Sequence, residues 1–74
     1  MSGLPRLTGR ALIAALGKAG FQIARVRGSH HILKHVDGRM TVVPVHAGDT
    51  IGPGLIAKIL RDCRISQDEL RKLL

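Results

Sequence analysis

The tetrapeptide Gly28-Ser29-His30-His31 gathers the groups of this chain best suited to moving protons near neutral pH. Histidine has an unperturbed pKa of about 6.5, so an imidazole both takes and returns a proton without help from its surroundings. Two further imidazoles stand at His35 and His46. One chemistry open to such groups is attack within RNA: a neutral imidazole removes the proton of a ribose 2′-hydroxyl, the oxygen attacks the adjacent phosphate, and a second group protonates the leaving 5′-oxygen. Arg27 and Lys34, close by in sequence, would neutralise charge on the transition state and tend to keep the imidazole a base. The bland alternative is a histidine that only contacts phosphate or solvent.

Metal binding is the competing chemistry, and the spacing opposes it. A zinc site needs three or four converging ligands. If residues 31–35 form a strand, His31 and His35 share a face but lie ~13 Å apart along it. No cysteine or carboxylate lies near His30 in sequence. Neither a metal nor another cofactor is expected.

Twelve Lys and Arg against five Asp and Glu leave +7 on a 74-residue chain, and the cations run along its whole length. That balance suits a polyanion, with nucleic acid as the first candidate and a merely solvated surface as the alternative. With 45% hydrophobic residues and a single aromatic, Phe21, the chain should fold around a small aliphatic core as one domain over residues 1–74. The lone Cys63 excludes an intramolecular disulfide and suits a reducing compartment. The start Met1-Ser2-Gly3-Leu4-Pro5 carries no apolar signal core, and no run approaches the ~20 residues of a membrane span. A bacterial or archaeal cytoplasmic protein is expected.

The elements that must hold these residues are legible in outline. Thr8 caps a first helix whose Leu12, Ala15, Leu16 and Ala19 share one face and which Gly20 stops. Phe21 to Val26 reads as a first strand closed by Gly28. Segments 30–36 and 39–45 read as two strands joined by Asp37-Gly38 in a two-residue type I′ turn, a register that pairs Val36 with Arg39, Ile32 with Val43 and His30 with Val45. Pro44 marks an edge strand or its end. Strand parity then puts His30, Ile32, Lys34, Val43 and Val45 on one side and His31, Leu33, His35, Met40 and Val42 on the other, with Ile32 and Val43 expected in the core. His30 and His31 therefore face opposite ways, and His46 falls roughly opposite Ser29. Pro53 opens a second helix carrying Leu55, Ile56, Ile59, Leu60 and Cys63 on one face. Ser66 and Glu69 have capping-box spacing before a short C-terminal helix. The order α-β-β-β-α-α implies an α+β fold of two layers, a three-stranded antiparallel sheet with helices on one side.

The combination of Gly-Phe at 20–21, Gly-Ser-His-His at 28–31, His35-x-Asp37-Gly38-Arg39, Val-Val-Pro-x-His at 42–46 and a Gly-x-x-x-x-Ile-Leu segment ending at Leu60 resembles the HicA toxins, the mRNA interferases of HicA–HicB toxin–antitoxin systems. The likeness runs over roughly residues 8–70. It implies a fold like the double-stranded-RNA-binding domain and metal-independent cleavage of mRNA by the histidine after the Gly-Ser pair, His30. His31 is the second candidate, because some members carry the histidine one position later. His46 matches the Pro-x-His motif and is either structural or a second active-site group. Arg27, Gly28, Ser29, Lys34, Lys58 and Arg61 are the candidate RNA-contacting residues. The implied partner is a HicB-type antitoxin covering the active face. Val36-Asp37 stands where Pro-Asp is frequent in the family, a change confined to the turn. A non-catalytic RNA-binding module of the same fold is the alternative function.

Overall fold

The computed structural model describes residues 4–74, so the expectation for the first three residues of the start lies outside the described part. The elements are α1 (Gly9–Lys18), β1 (Gln22–Arg27), β2 (His30–Lys34), β3 (Met40–Pro44), α2 (Pro53–Cys63) and α3 (Gln67–Leu73). The three strands form one antiparallel sheet in the order β1-β2-β3. All three helices lie on the same side of it, giving the α+β arrangement anticipated from the element order. Pro44 ends β3, an edge strand, where its missing N–H leaves no ladder position unfilled.

Local chemistry sets the helix ends. The Thr8 hydroxyl accepts from the Ala11 N–H at 3.1 Å, and Pro53 occupies the first turn of α2. At α3 the capping box is complete: Ser66 Oγ accepts from the Glu69 N–H at 3.0 Å while Glu69 Oε1 accepts from the Ser66 N–H at 2.9 Å. Leu12, Leu16, Ile59, Cys63 and Leu70 from the helices meet Leu33 and Val43 from the sheet, and each is fully buried. Leu55, expected on the buried face of α2, is instead partly exposed.

The register differs from the sequence expectation by one residue. His30 pairs with Pro44, Ile32 with Val42 and Lys34 with Met40. The cause is the turn. The Gly38 N–H donates to the His35 carbonyl and the His35 N–H to the Arg39 carbonyl, both at 2.9 Å. Gly38 alone in this loop has positive φ, +98°. This is a three-residue loop of the type I plus bulge kind, not the two-residue type I′ turn. Asp37 favours it by accepting the Arg39 N–H on its side chain at 3.0 Å, an Asx-type closure that leaves Asp37 at negative φ. Val36 is left outside, 98% exposed.

A one-residue shift exchanges the faces of a strand. Val43 is in the core as expected, but its companions there are Leu33 and the buried Thr41, while Ile32 lies on the opposite, helix-free face. Thr41 donates its hydroxyl to Asp62 Oδ2 at 2.9 Å and so ties β3 to α2. The helices pack on the β3 side of the sheet. β1 overhangs them, with every residue exposed.

Candidate nucleic-acid interface

β1 and β2 are joined by Gly28 and Ser29 alone, between the paired residues Arg27 and His30. Gly28 has φ +59° and Ser29 a negative φ, the pattern of a type II′ turn, in which glycine is wanted at the first central position. The Gly-Ser pair is therefore the tight hairpin turn of this molecule. The Ser29 carbonyl accepts from the Val45 N–H at 2.7 Å, carrying the β2–β3 ladder one step beyond the strands.

Residues directly opposite in a sheet share a face. Three rows thus cross the helix-free side: Arg27, His30 and Pro44; Arg25, Ile32 and Val42; Gln22, Lys34 and Met40. The Gly28-Ser29 turn sets Arg27 opposite His30 and hence Arg25 opposite Ile32. A bulge between Ile23 and Arg25, with Ala24 as the extra residue, then keeps Gln22 opposite Lys34 on this face and Ile23 opposite Leu33 on the other.

No strand contains an Asp or Glu, so the charge of this face has one sign. Ion pairs engage Arg39 with Asp37, Lys58 with Asp62 and Arg71 with Asp68, all away from the open face. Among the described residues Arg25, Arg27 and Lys34 form none.

The histidines separate by environment. His30 is exposed on the open face, opposite Arg27. His31 turns toward the helix side beside Val26 and Val43, partly buried, with Nδ1 3.4 Å from the Ser29 carbonyl oxygen, a long and weak contact. His35 is held at both nitrogens: the Asp37 N–H donates to Nδ1 at 3.2 Å, and Nε2 lies 3.1 Å from the Ala19 carbonyl. Nδ1 also lies 3.1 Å from a carboxylate oxygen of Asp37. The His35 ring also stands edge-on to Phe21, with centroids 5.0 Å apart. His46 is exposed in the loop after β3, just past the bond between Val45 and Ser29, and so at the His30 end of the sheet.

Of the residues singled out in the sequence, the structure brings Arg27, His30 and Lys34 onto one face, with Gly28 and Ser29 as the turn between the first two. Lys58 and Arg61 lie on α2, in the layer behind the sheet. Arg25 escaped the sequence reading. Its signal was its place two residues before Arg27, which puts the two on one strand face. Among the described residues no three His, Cys, Asp or Glu side chains converge as metal ligands, and no helix is long and apolar enough to cross a membrane.

These features define a small two-layer α+β protein with one covered and one open, basic sheet face. The sequence matches the family described as the HicA toxin of bacterial toxin-antitoxin over residues 9–65, the greater part of the chain. The chain belongs to the HicA toxin family and is the toxin of a toxin–antitoxin pair, which implies a cognate antitoxin. No individual curated protein matches it.

Proposed function

We propose that this toxin is an endoribonuclease that cleaves mRNA without a metal, using His30 as general acid or base, and that a HicB-type antitoxin inhibits it by covering the open sheet face. The observation that carries the reading is the position of His30. It is the imidazole on a carboxylate-free cationic face, paired across the strands with Arg27, whereas His31 and His35 face the helix side.

The chain's own groups supply a complete course. Neutral His30 takes the 2′-hydroxyl proton, the ribose oxygen attacks phosphorus, and the guanidinium of Arg27 and the ammonium of Lys34 offset the charge gathering on the phosphate oxygens. Protonation of the leaving 5′-oxygen falls to a second group, for which exposed His46 at the same end of the sheet is the candidate, with His31 in reserve. Gly28 and Ser29 hold the turn that fixes Arg27 against His30. Lys58 and Arg61, on the other layer, would serve an RNA long enough to wrap the molecule.

The test is His30→Ala, checked for folding by circular dichroism. Cleavage of a single-stranded RNA should fall by roughly 10²–10⁴-fold, the wild type should keep its activity in chelator, and an RNA with 2′-hydrogens should resist. A folded His30→Ala protein that cuts at the wild-type rate would refute the role of His30. Salt-sensitive binding with no product from the wild-type protein would leave a non-catalytic RNA-binding module.

A further inference from the structure

The open face is not uniformly polar. Between its cations runs a groove of about 530 Å³, lined by Ala24, Arg25, Ile32, Lys34, Met40 and Val42. Ile32 and Val42 form its floor as a cross-strand pair, Met40 is half-exposed along one side, and Arg25 and Lys34 rise from the strands around it. An apolar floor inside a ring of one sign of charge suits a ligand with a flat, weakly polar body and an anionic backbone. The bulge brings the small Ala24 side chain into the lining next to Arg25, which pairs across the strands with Ile32.

We infer that this groove is a nucleobase subsite for single-stranded RNA, in which one unstacked base lies on Ile32 and Val42 against the plane of the Arg25 guanidinium while flanking phosphates meet Arg27 and Lys34. Bases splayed out of single strands stack on aromatic rings or on arginine planes. Phe21, the sole Phe, Tyr or Trp, is buried in the core and no histidine lines the groove, so arginine is the planar group on offer there. Ile32 stands two strand residues from His30, ~7 Å along β2, a distance that assigns the held base to a nucleotide neighbouring the phosphate at His30. A duplex hides its base faces and does not fit; a single strand does. The inference rests on the reading that this toxin acts on RNA, and it adds where the enzyme grips a base and thereby what positions the cut.

The experiment uses the wild-type chain and a short 2′-fluoro oligoribonucleotide, which blocks 2′-attack, with an abasic residue moved along it one position at a time. Affinity is read by fluorescence anisotropy. One abasic position should weaken binding about fivefold to tenfold more than its neighbours, the lower end of what losing one stacked base costs. In Arg25→Lys, which keeps the charge and loses the plane, and in Met40→Ala, that position should fall to the level of the others, with the salt dependence of Arg25→Lys unchanged. A flat abasic profile in the wild type, or a peak that persists in both variants, overturns the subsite. Variants that bind RNA as the wild type does but lose the cognate antitoxin assign the groove to the protein partner and also overturn it. Unmodified RNA keeps the two readings apart: a peaked profile without cleavage refutes the nuclease and leaves the subsite, and cleavage with a flat profile does the reverse.

Discussion

His35 is the best-connected imidazole of the four and for that reason the one with least left to offer a ligand. Its ring joins the C-terminal end of α1, through the Ala19 carbonyl, to the β2–β3 turn, through the Asp37 N–H, and packs against Phe21. Arg39 reinforces the same corner, with its guanidinium 5.0 Å from the Phe21 centroid and donating to Asp37 and to the Cys63 carbonyl at the end of α2. His35→Ala should leave two polar groups without partners and lower stability by about 1–3 kcal/mol, read as a lower urea midpoint. RNA binding should be unchanged, because none of these contacts reaches the open face; a loss of RNA affinity at full occupancy of the folded state would contradict the assignment. Residue types alone cannot separate His35 from His30. The resemblance to the HicA toxins brought His30 forward, and strand parity divided it from His31, since adjacent strand residues face opposite ways.

At the scale of elements, the features set by a few neighbouring residues were legible and those set by counting along a ladder were not. Thr8, Pro53 and the Ser66–Glu69 box act within one helical turn, and each stands where its residue type indicates. Asp37-Gly38 did form a turn, but Asp37 used its side chain to close a longer loop. That added residue moved every β3 position relative to β2 and exchanged Ile32 for Leu33 in the buried set. The Ala24 bulge is a second counting event: Arg25 and Arg27 stand where the Gly28-Ser29 turn sets them, and the extra residue keeps Ile23 opposite Leu33. Replacing both Arg25 and Arg27 by Gln removes two cations facing a single strand and should flatten the slope of log affinity against log salt by roughly 1.4. β1 overhangs the helices with all its residues exposed, so the domain should still fold. A double variant with the wild-type slope would show that those arginines do not meet phosphate.

Over the whole molecule, charge is sorted by layer. Every carboxylate lies in a helix or a loop, and the sheet carries none. Three of them titrate below their ordinary values: Asp37 chiefly through the Arg39 N–H, Asp62 through the Lys58 ammonium and then the Thr41 hydroxyl, and Glu69 through the Ser66 N–H. An acid held more strongly ionised in the folded chain stabilises it above the unfolded pKa and loses that contribution as pH falls through the folded one. Stability should therefore decline on acidification from about the ordinary values of 3.8 to 4.5 downward. Cys63 works at the other end. Burial pushes its thiol from 9.0 up to about 11, so the folded chain keeps a proton that the unfolded chain releases, and stability should fall as pH rises through that interval. Urea midpoints followed across pH should give a plateau between these limits; a midpoint that stays flat through the alkaline interval would contradict the buried thiol.

The two-residue turn at Gly28-Ser29 bears on how this protein tolerates change. Arg27 and His30 are bracketed by one tight hairpin, so their relative placement is settled within four consecutive residues and borrows nothing from side chains in the interior. Substitutions that loosen the packing of Leu12, Ile59 or Leu70 lower the fraction of molecules that are folded without spreading that pair apart in those that remain. Sequence drift in the core and retention of the working pair are thereby uncoupled, and the position that admits little drift is Gly28, whose positive φ a side chain would strain.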